Sequence, residues 1–304
     1  MHILTFDIED WFHLLEHKET VDENQWSQFE PRIARNTDLI LDCLAEARVK
    51  ATFFCLGWVA RAHPEVIRKI HAAGHDIGSH SNKHQPVHQL TPQQFREDLL
   101  SSIKLLEDLT GKKVRGYRSP GFSITRECTW AFSILAENGI EFDSSIFASR
   151  HAHGGFSDYC AMEPVLVEHG GLRLKQFPVV PGVLCAHRIN FSGGGYFRLL
   201  PYPLIRHLMA KSQYAMTYFH PRDFDPDQPL VPKLPPFRIF KSYVGLRSSL
   251  QKFKQLLKDF NFIDIATADA NINWTAQPRL HLTAGANTRD SVRFIQPSLG
   301  DEEC

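Results

Sequence analysis

The chain has no apolar run approaching the ~20 residues that a membrane-spanning helix needs, and no block of like charge that would mark a nucleic-acid or membrane-surface patch. Lys+Arg and Asp+Glu each number 34, so the formal net charge is zero. No nucleic-acid partner and no transmembrane segment are expected. Internal repeats are absent, which removes solenoids and propellers from consideration. The 6 cysteines (Cys43, Cys55, Cys128, Cys160, Cys185 and Cys304) contain no Cys-x-x-Cys pair and no compact framework. Four of them have mainly apolar neighbours, which reads as reduced, buried thiols. Met1 runs directly into His-Ile-Leu-Thr-Phe-Asp, which reads as a core strand and not as a signal peptide. The expected location is cytoplasmic, with a place peripheral to the inner membrane left open.

The 304 residues suffice for one large domain with a substantial core. Short runs rich in aromatic and β-branched residues, bounded by turn formers, predict strands over 2–7, 51–57, 75–80, 114–119, 139–146, 174–181, 214–220 and 262–267. Helical spacing predicts helices over 31–48, 64–73, 92–110, 125–138, 202–211 and 244–260. The clearest is 92–110. Thr91 is placed to cap it, Pro92 suits its first position, Gln94 completes a capping box, and Gly111 stops it. Strands and helices alternate about eight times, which argues a parallel α/β architecture of seven to eight strands, with a distorted (β/α) barrel preferred to a flat sheet. Residues 1–272 are read as this barrel, including an insertion at 182–213 and a proline-rich surface loop at 225–240. Hydrophobic periodicity fades beyond about 272, so 273–304 reads as a peripheral tail. Gly193, Gly194 and Gly195 stand in a row, but the phosphate-loop pattern is missing, and a flexible turn is the expectation.

Reactive residues of parallel α/β folds gather at the carboxyl ends of strands. Asp7, His80, Arg118, Asp143 and His220 all fall at or just after such ends, which argues one shared site. His80 and His84, four residues apart, together with a carboxylate, suit a divalent ion such as zinc with positions left open for water and substrate. The acids near the first strand end are Asp7, Glu9 and Asp10. Arg118 is placed to pair with Asp7 and hold it as a charged base, or to serve as a structural ion pair. His220 is placed to act as a general acid. Asp143 either orients and charges that histidine or caps a turn.

With these residues in hand, the chain resembles the NodB-homology polysaccharide deacetylases, carbohydrate esterase family 4. The motifs carrying the resemblance are Thr-Phe-Asp-Ile-Glu-Asp (5–10), His-Ser-Asn-Lys-His (80–84), Arg-Ser-Pro-Gly (118–121), Phe-Asp-Ser-Ser (142–145) and Tyr-Phe-His (218–220), in the family's order. The run Gly-Gly-Gly-Tyr-Phe-Arg-Leu-Leu-Pro-Tyr (193–202), with the stretch 219–229, further resembles a subgroup with a C-terminal extension that accompanies exopolysaccharide systems. The resemblance implies a distorted β/α barrel and removal of N-acetyl groups from a glycan or a lipid-linked glycan precursor. The chain departs from the family in several places. Ile8 stands where the second aspartate of the first motif is usual, which moves the metal ligand to Glu9 or Asp10. Strand alternation puts Glu9 on the same side as Asp7, whereas aspartate is the usual ligand type, so both stay open. Gly121 and Phe122 replace the usual tyrosine at the third motif, leaving a backbone N–H near Gly121 to meet an oxyanion. Tyr218 replaces a leucine and narrows the acetyl pocket, and the fourth motif lacks its common tryptophan. The alternatives are a metal-free cyclic-amide hydrolase of the same fold, which the intact His80 and His84 argue against, a non-haem iron oxygenase, and a non-catalytic glycan-binding protein using Trp11, Phe12, Trp58, Phe122 and Tyr196 for stacking.

Overall fold

The computed structural model describes residues 1–282, apart from 16, 18, 19, 150–153, 157, 158, 160 and 170, together with residues 292–295. The strands in chain order are β1 (His2–Ile3), β2 (Thr5–Ile8), β3 (Thr52–Cys55), β4 (Asp76–Ser79), β5 (Gly116–Tyr117), β6 (Phe142–Asp143), β7 (Val165–His169), β8 (Leu172–Gln176), β9 (Gly182–Leu184), β10 (His187–Ile189), β11 (Ala215–Met216), β12 (Arg279–Leu282) and β13 (Val292–Ile295). The helices are α1 (Ile33–Ala47), α2 (Gly57–Ala62), α3 (Pro64–Ala72), α4 (Pro92–Thr110), α5 (Trp130–Glu137), α6 (Gly194–Leu199), α7 (Tyr202–Lys211), α8 (Pro236–Tyr243), α9 (Leu246–Asp259) and α10 (Ile265–Asn271). Helix α4 begins and ends where its capping box and Gly111 place it. No described helix is long and apolar enough to cross a membrane.

Nine strands form one sheet in the order β13-β12-β7-β8-β6-β5-β4-β3-β2. The run from β2 through β8 is parallel, while β7 pairs antiparallel with β8 and β13 with β12. The far side of the first strands is lined by β1–β11 pairing and by residues 217–219, where Asp7 N–H donates to the Phe219 carbonyl at 2.8 Å. The sheet is strongly curled. Two strands, β3 and β4, separate β2 from β5, a span of about 14 Å were the sheet flat. Yet Arg118, directly after β5, donates from Nη1 to both Thr5 Oγ1 and Asp7 Oδ1 at 2.7 Å. One side chain bridges that gap only if the sheet wraps around it.

The expectation of a barrel is corrected at the seam. Among the described residues no ladder joins β11 to β8, so the wrap stays open. The cause is legible in Gln-Phe-Pro-Val-Val-Pro: Pro178 and Pro181 cannot donate to a ladder, and Val179 bridges Phe147 instead. The Tyr214 hydroxyl crosses the seam, donating to the Pro178 carbonyl at 2.8 Å. A core of aromatic rings fastens α9 to the sheet, with Phe253 5.9 Å from Phe6, 5.4 Å from Phe219 and 4.9 Å from Phe224, centre to centre.

Other elements also depart from the sequence reading. Residues 262–267 are not a strand: Ile263 makes a single bridge to Ile3, and Asp264 caps α10 by accepting from Thr267 N–H at 2.7 Å. Within 225–240 the prolines open a helix, α8, because Pro236 suits a first helical turn. The three glycines are neither a phosphate cradle nor a loose turn. A Cβ at Gly193 would lie 1.9 Å from the Tyr218 carbonyl oxygen, so glycine is there for close backbone approach. Residues 279–282, in the stretch read as a tail, form β12 beside β7, with Leu280 fully buried. Cys160 and Cys304 lie outside the described residues. The other four cysteines are free thiols, Cys185 exposed and the rest buried.

Burial of Leu280 makes the end of the described sheet part of the stability of the whole. Leu280→Ala should cost about 2–5 kcal/mol, read as a lowered midpoint in chemical unfolding. A change below about 0.5 kcal/mol would contradict the pairing of β12.

Candidate active site

Along β2 the side chains alternate: Phe6 and Ile8 face the helices, Thr5 and Asp7 face the enclosed side where Arg118 lies. Arg118 is fully buried, stacked over Phe54 with its Cζ 4.3 Å from the ring centre, and it also donates to the Ser144 carbonyl and hydroxyl at 3.2 and 2.9 Å. A guanidinium this deep needs its charge met, and Asp7 meets it.

Glu9 carries on to the same side. Its Oε2 lies against Nε2 of His84 and 3.9 Å from Nε2 of His80. These three ligand atoms lie within 4.8 Å of one another, and all three residues are buried. The carbonyl of Arg118 accepts from Nδ1 of His80 at 2.9 Å, which fixes the tautomer and turns Nε2 toward Glu9. Burial pushes His80 down to about 4, so its neutral, ligating form is the one present at neutral pH. Burial opposes ionisation of Glu9, but His84, His220 and His80 outweigh it and hold the carboxyl well below its ordinary range. Glu9 Oε2 finds no well-aligned hydrogen bond although it is buried. Two imidazole nitrogens and one orphaned carboxylate oxygen converging on a point fit a tetrahedral zinc-type ion with an open position.

The alternative ligand, Asp10, is corrected by this geometry. Its Oδ2 accepts from the N–H groups of Arg32 and Ile33 at 2.7 and 3.0 Å, and its Oδ1 from Trp11 N–H at 2.8 Å. It caps α1 and faces away from the histidines. The loop carrying the two histidines is held by Asp98, which accepts from the N–H groups of Asn82 and Lys83 at 2.8 and 3.0 Å. Burial pushes Asp98 up to about 6. Sequence reasoning missed it; the signal was an acid on the buried face of α4, between Phe95 and Leu99.

His220 follows residues 217–219 and enters the same space. Its Nε2 lies 3.8 Å from Asp7 Oδ2 and 3.6 Å from Glu9 Oε1. The reading of Asp143 as its partner is corrected. Asp223 takes that place, 3.1 Å from Nδ1 of His220 and itself paired with Arg198 at 2.9 Å. Burial works against the imidazolium, but Asp223, Glu9 and Asp7 prevail and raise His220 to about 9. The missed signal was the i,i+3 pair in His-Pro-Arg-Asp, which starts a single 3-10 turn. Asp143 accepts from Ser145 Oγ and N–H at 2.6 and 2.8 Å, and burial raises it to about 7. The Ser145 hydroxyl in turn accepts from Ser119 N–H at 2.8 Å, so Asp143 positions the turn after Arg118.

That turn places Gly121 and Phe122 at φ of 60° and 53°. Phe122 N–H donates to the Ser119 carbonyl at 3.1 Å and is committed to the turn. The Phe122 ring packs edge-on against Tyr218, 5.1 Å between centres, and Tyr218 stands 6.4 Å from His220. Phe122 and Tyr218 thus wall one side of the site. Of the aromatics considered for glycan stacking, Trp11, Phe12 and Phe122 are buried and Tyr196 is exposed.

The α/β fold is shared with a known structure. A Mycobacterium smegmatis crystal structure, provisionally named a polysaccharide deacetylase, superposes with a TM-score of 0.59 over 89% of each chain, at 18% identity. Residues 13–141 match the model of the family described as polysaccharide deacetylase, and residues 144–270 match one described as a domain of unknown function, DUF3473. Among curated proteins, the chain is 30% identical over 123 residues to the peptidoglycan deacetylase of Helicobacter pylori, covering 40% of this chain and 38% of that one. It is 32% identical over 96 residues to the peptidoglycan-N-acetylglucosamine deacetylase of Bacillus cereus, covering 31% of this chain and 35% of that one. The match to the polysaccharide deacetylase model covers residues 13–141, and the chain matches less than two-fifths of the length of these two relatives.

Two predictions separate the carboxylates. Glu9→Gln should weaken zinc binding about 10-fold or more, measured by competition with a chromophoric chelator, while Asp10→Asn should leave it within about twofold and lower stability by ~1 kcal/mol. Equal losses of zinc affinity in both would contradict the assignment. Asp143 has a folded pKa above its unfolded one, so its favourable contribution is complete below about 4 and lost as pH rises through about 7. Between pH 5 and pH 8 the wild type should lose on the order of 2 kcal/mol relative to Asp143→Asn, read from unfolding curves. A pH-independent difference would show that Asp143 does not titrate in this range.

Proposed function

We propose that this protein is a metal-dependent hydrolase that removes N-acetyl groups from a polysaccharide, an oligosaccharide or a lipid-linked glycan precursor. The observation that carries the reading is the convergence of His80, His84 and Glu9 beside Asp7 and His220. His80, His84 and Glu9 would hold the ion, most simply zinc. When bound, it supplies Lewis acidity toward an amide carbonyl and a lowered pKa for water. Every other step belongs to the chain. Asp7, its charge met by Arg118, is the proton acceptor for the attacking water. His220, charged and aimed by Asp223, is the donor to the departing amine. Phe122 and Tyr218 close the apolar side against which an acetyl methyl would sit. Products are acetate and a free amino sugar.

The separate placement of acceptor and donor supports this chemistry. Asp7 is paired with its arginine at 2.7 Å, and the carboxylates around His220 favour its protonated form. The pair is therefore poised in the order amide hydrolysis needs, base first and acid second.

Acetate release from short N-acetylglucosamine oligomers should be abolished by a chelator and restored by zinc. Asp7→Asn and His220→Ala should each lower kcat about 10²–10⁴-fold while leaving the unfolding midpoint within a few degrees. Chelator-resistant turnover, or full activity in either variant, would overturn the mechanism.

A further inference from the structure

A cavity of about 410 Å³ opens directly beside Glu9 and His220, and its other wall comes from α6 and α8, beyond the matched deacetylase segment. Among the described residues four cations line it: Arg198, Arg222, Arg238 and Lys241. The two acids among its described residues are already answered. Asp223 is held between Arg198 and His220, and Glu9 faces the histidine pair. Arg198 is largely committed, since besides Asp223 it donates to the carbonyls of Lys241, Ser242 and Val244 at 2.8–3.1 Å.

The other three cations have no acid partner among the described residues. Arg222 is the telling one. It is only 7% exposed; its Nη1 donates to the Trp11 carbonyl at 3.0 Å, and its Nη2 is buried with no hydrogen-bond partner. Arg238 uses one nitrogen on the Leu15 carbonyl at 2.8 Å. Lys241 is exposed, its Nζ 4.8 Å from the centre of the Phe237 ring. A buried guanidinium donor left unmet is costly, and it becomes favourable when a ligand brings an oxyanion to it. Arginine's planar fork suits a carboxylate or a phosphate group.

We infer that this cavity is a subsite for a negatively charged substituent, a carboxylate or a phosphate, carried by the glycan next to the N-acetylated sugar. The inference rests on the deacetylase reading for the identity of the chain, and on Arg222, Arg238 and Lys241 for its charge. It makes an anionic N-acetylated glycan the substrate class, with neutral chitin-like oligomers the poorer substrate.

The test measures acetate release from three oligomers of matched length: neutral N-acetylglucosamine, alternating N-acetylglucosamine and glucuronate, and N-acetylglucosamine bearing a 6-phosphate on the neighbouring unit. Wild type and the double variant Arg238→Gln/Lys241→Gln are compared at low and high salt. The expected result is a kcat/KM about 10-fold or more higher for a charged oligomer, since hydrogen bonds to charged groups are worth more than neutral ones. The charged-to-neutral ratio should fall toward one in the double variant and be reduced by salt. The carboxylate and phosphate arms distinguish the two sources of charge. A ratio of one in the wild type, or a ratio that survives the double substitution, would overturn the subsite. If no oligomer releases acetate, the hydrolase reading fails, and calorimetric binding of the same three oligomers still decides the subsite. Tighter binding of a charged oligomer, lost in the double variant, upholds it, and equal binding overturns it.

Discussion

The buried guanidinium of Arg118 is the constraint on which the rest of the site depends. Its side chain ties β5 to β2 and β6, and so fixes how far the sheet curls. Its charge is paired with Asp7 at 2.7 Å, and its backbone carbonyl sets the orientation of His80. Removing one member of a buried ion pair leaves an uncompensated charge worth about 3–5 kcal/mol. The placement of Asp7, the orientation of His80 and the curvature are therefore not independent features. The enclosing wrap needs no ladder at its seam, because this arginine with Ser144 and Met216 fills the interior from the other side.

Buried carboxyl groups crowd this region, and their work differs with what each one faces. Asp7 meets a guanidinium, Glu9 meets two imidazoles, Asp223 meets an imidazole and a guanidinium, and Asp10 and Asp98 meet backbone N–H groups. Residue type alone does not separate them. The cations without an acid partner among the described residues then lie in the cavity under α8, where Arg222 Nη2 has no hydrogen-bond partner.

Much of this was legible from spacing. The strand ends that gather Asp7, His80, Arg118 and His220 follow from alternation of strand and helix, and α4 follows from Thr91, Pro92, Gln94 and Gly111. Alternation along β2 also puts Glu9 on the side of Asp7, which is where it lies. What spacing could not carry was long-range partnership. Whether Asp10 faces a metal or the start of α1 depends on a contact 22 residues away. The partner of His220 was three residues distant and hidden by a proline, while Asp143, which has the residue type for the task, is consumed by Ser145. The ends of the chain misled for a different reason. Leu280 and Leu282 alternate with Arg279 and His281 over only four residues, too short a run for a clear periodic signal, yet pairing with β7 buries Leu280 completely. Likewise the strand-like run at 262–267 yields to the cap that Asp264 supplies.

The central claim is that one ion sits among Glu9, His80 and His84, within reach of Asp7 and His220. An anomalous-scattering crystal structure of the zinc-loaded protein tests it most directly. The account predicts a single strong peak with Nε2 of both histidines and a Glu9 oxygen at about 2.0–2.2 Å, and with Asp10 still on α1. A peak elsewhere, or a shell that includes Asp10 and omits Glu9, would contradict it.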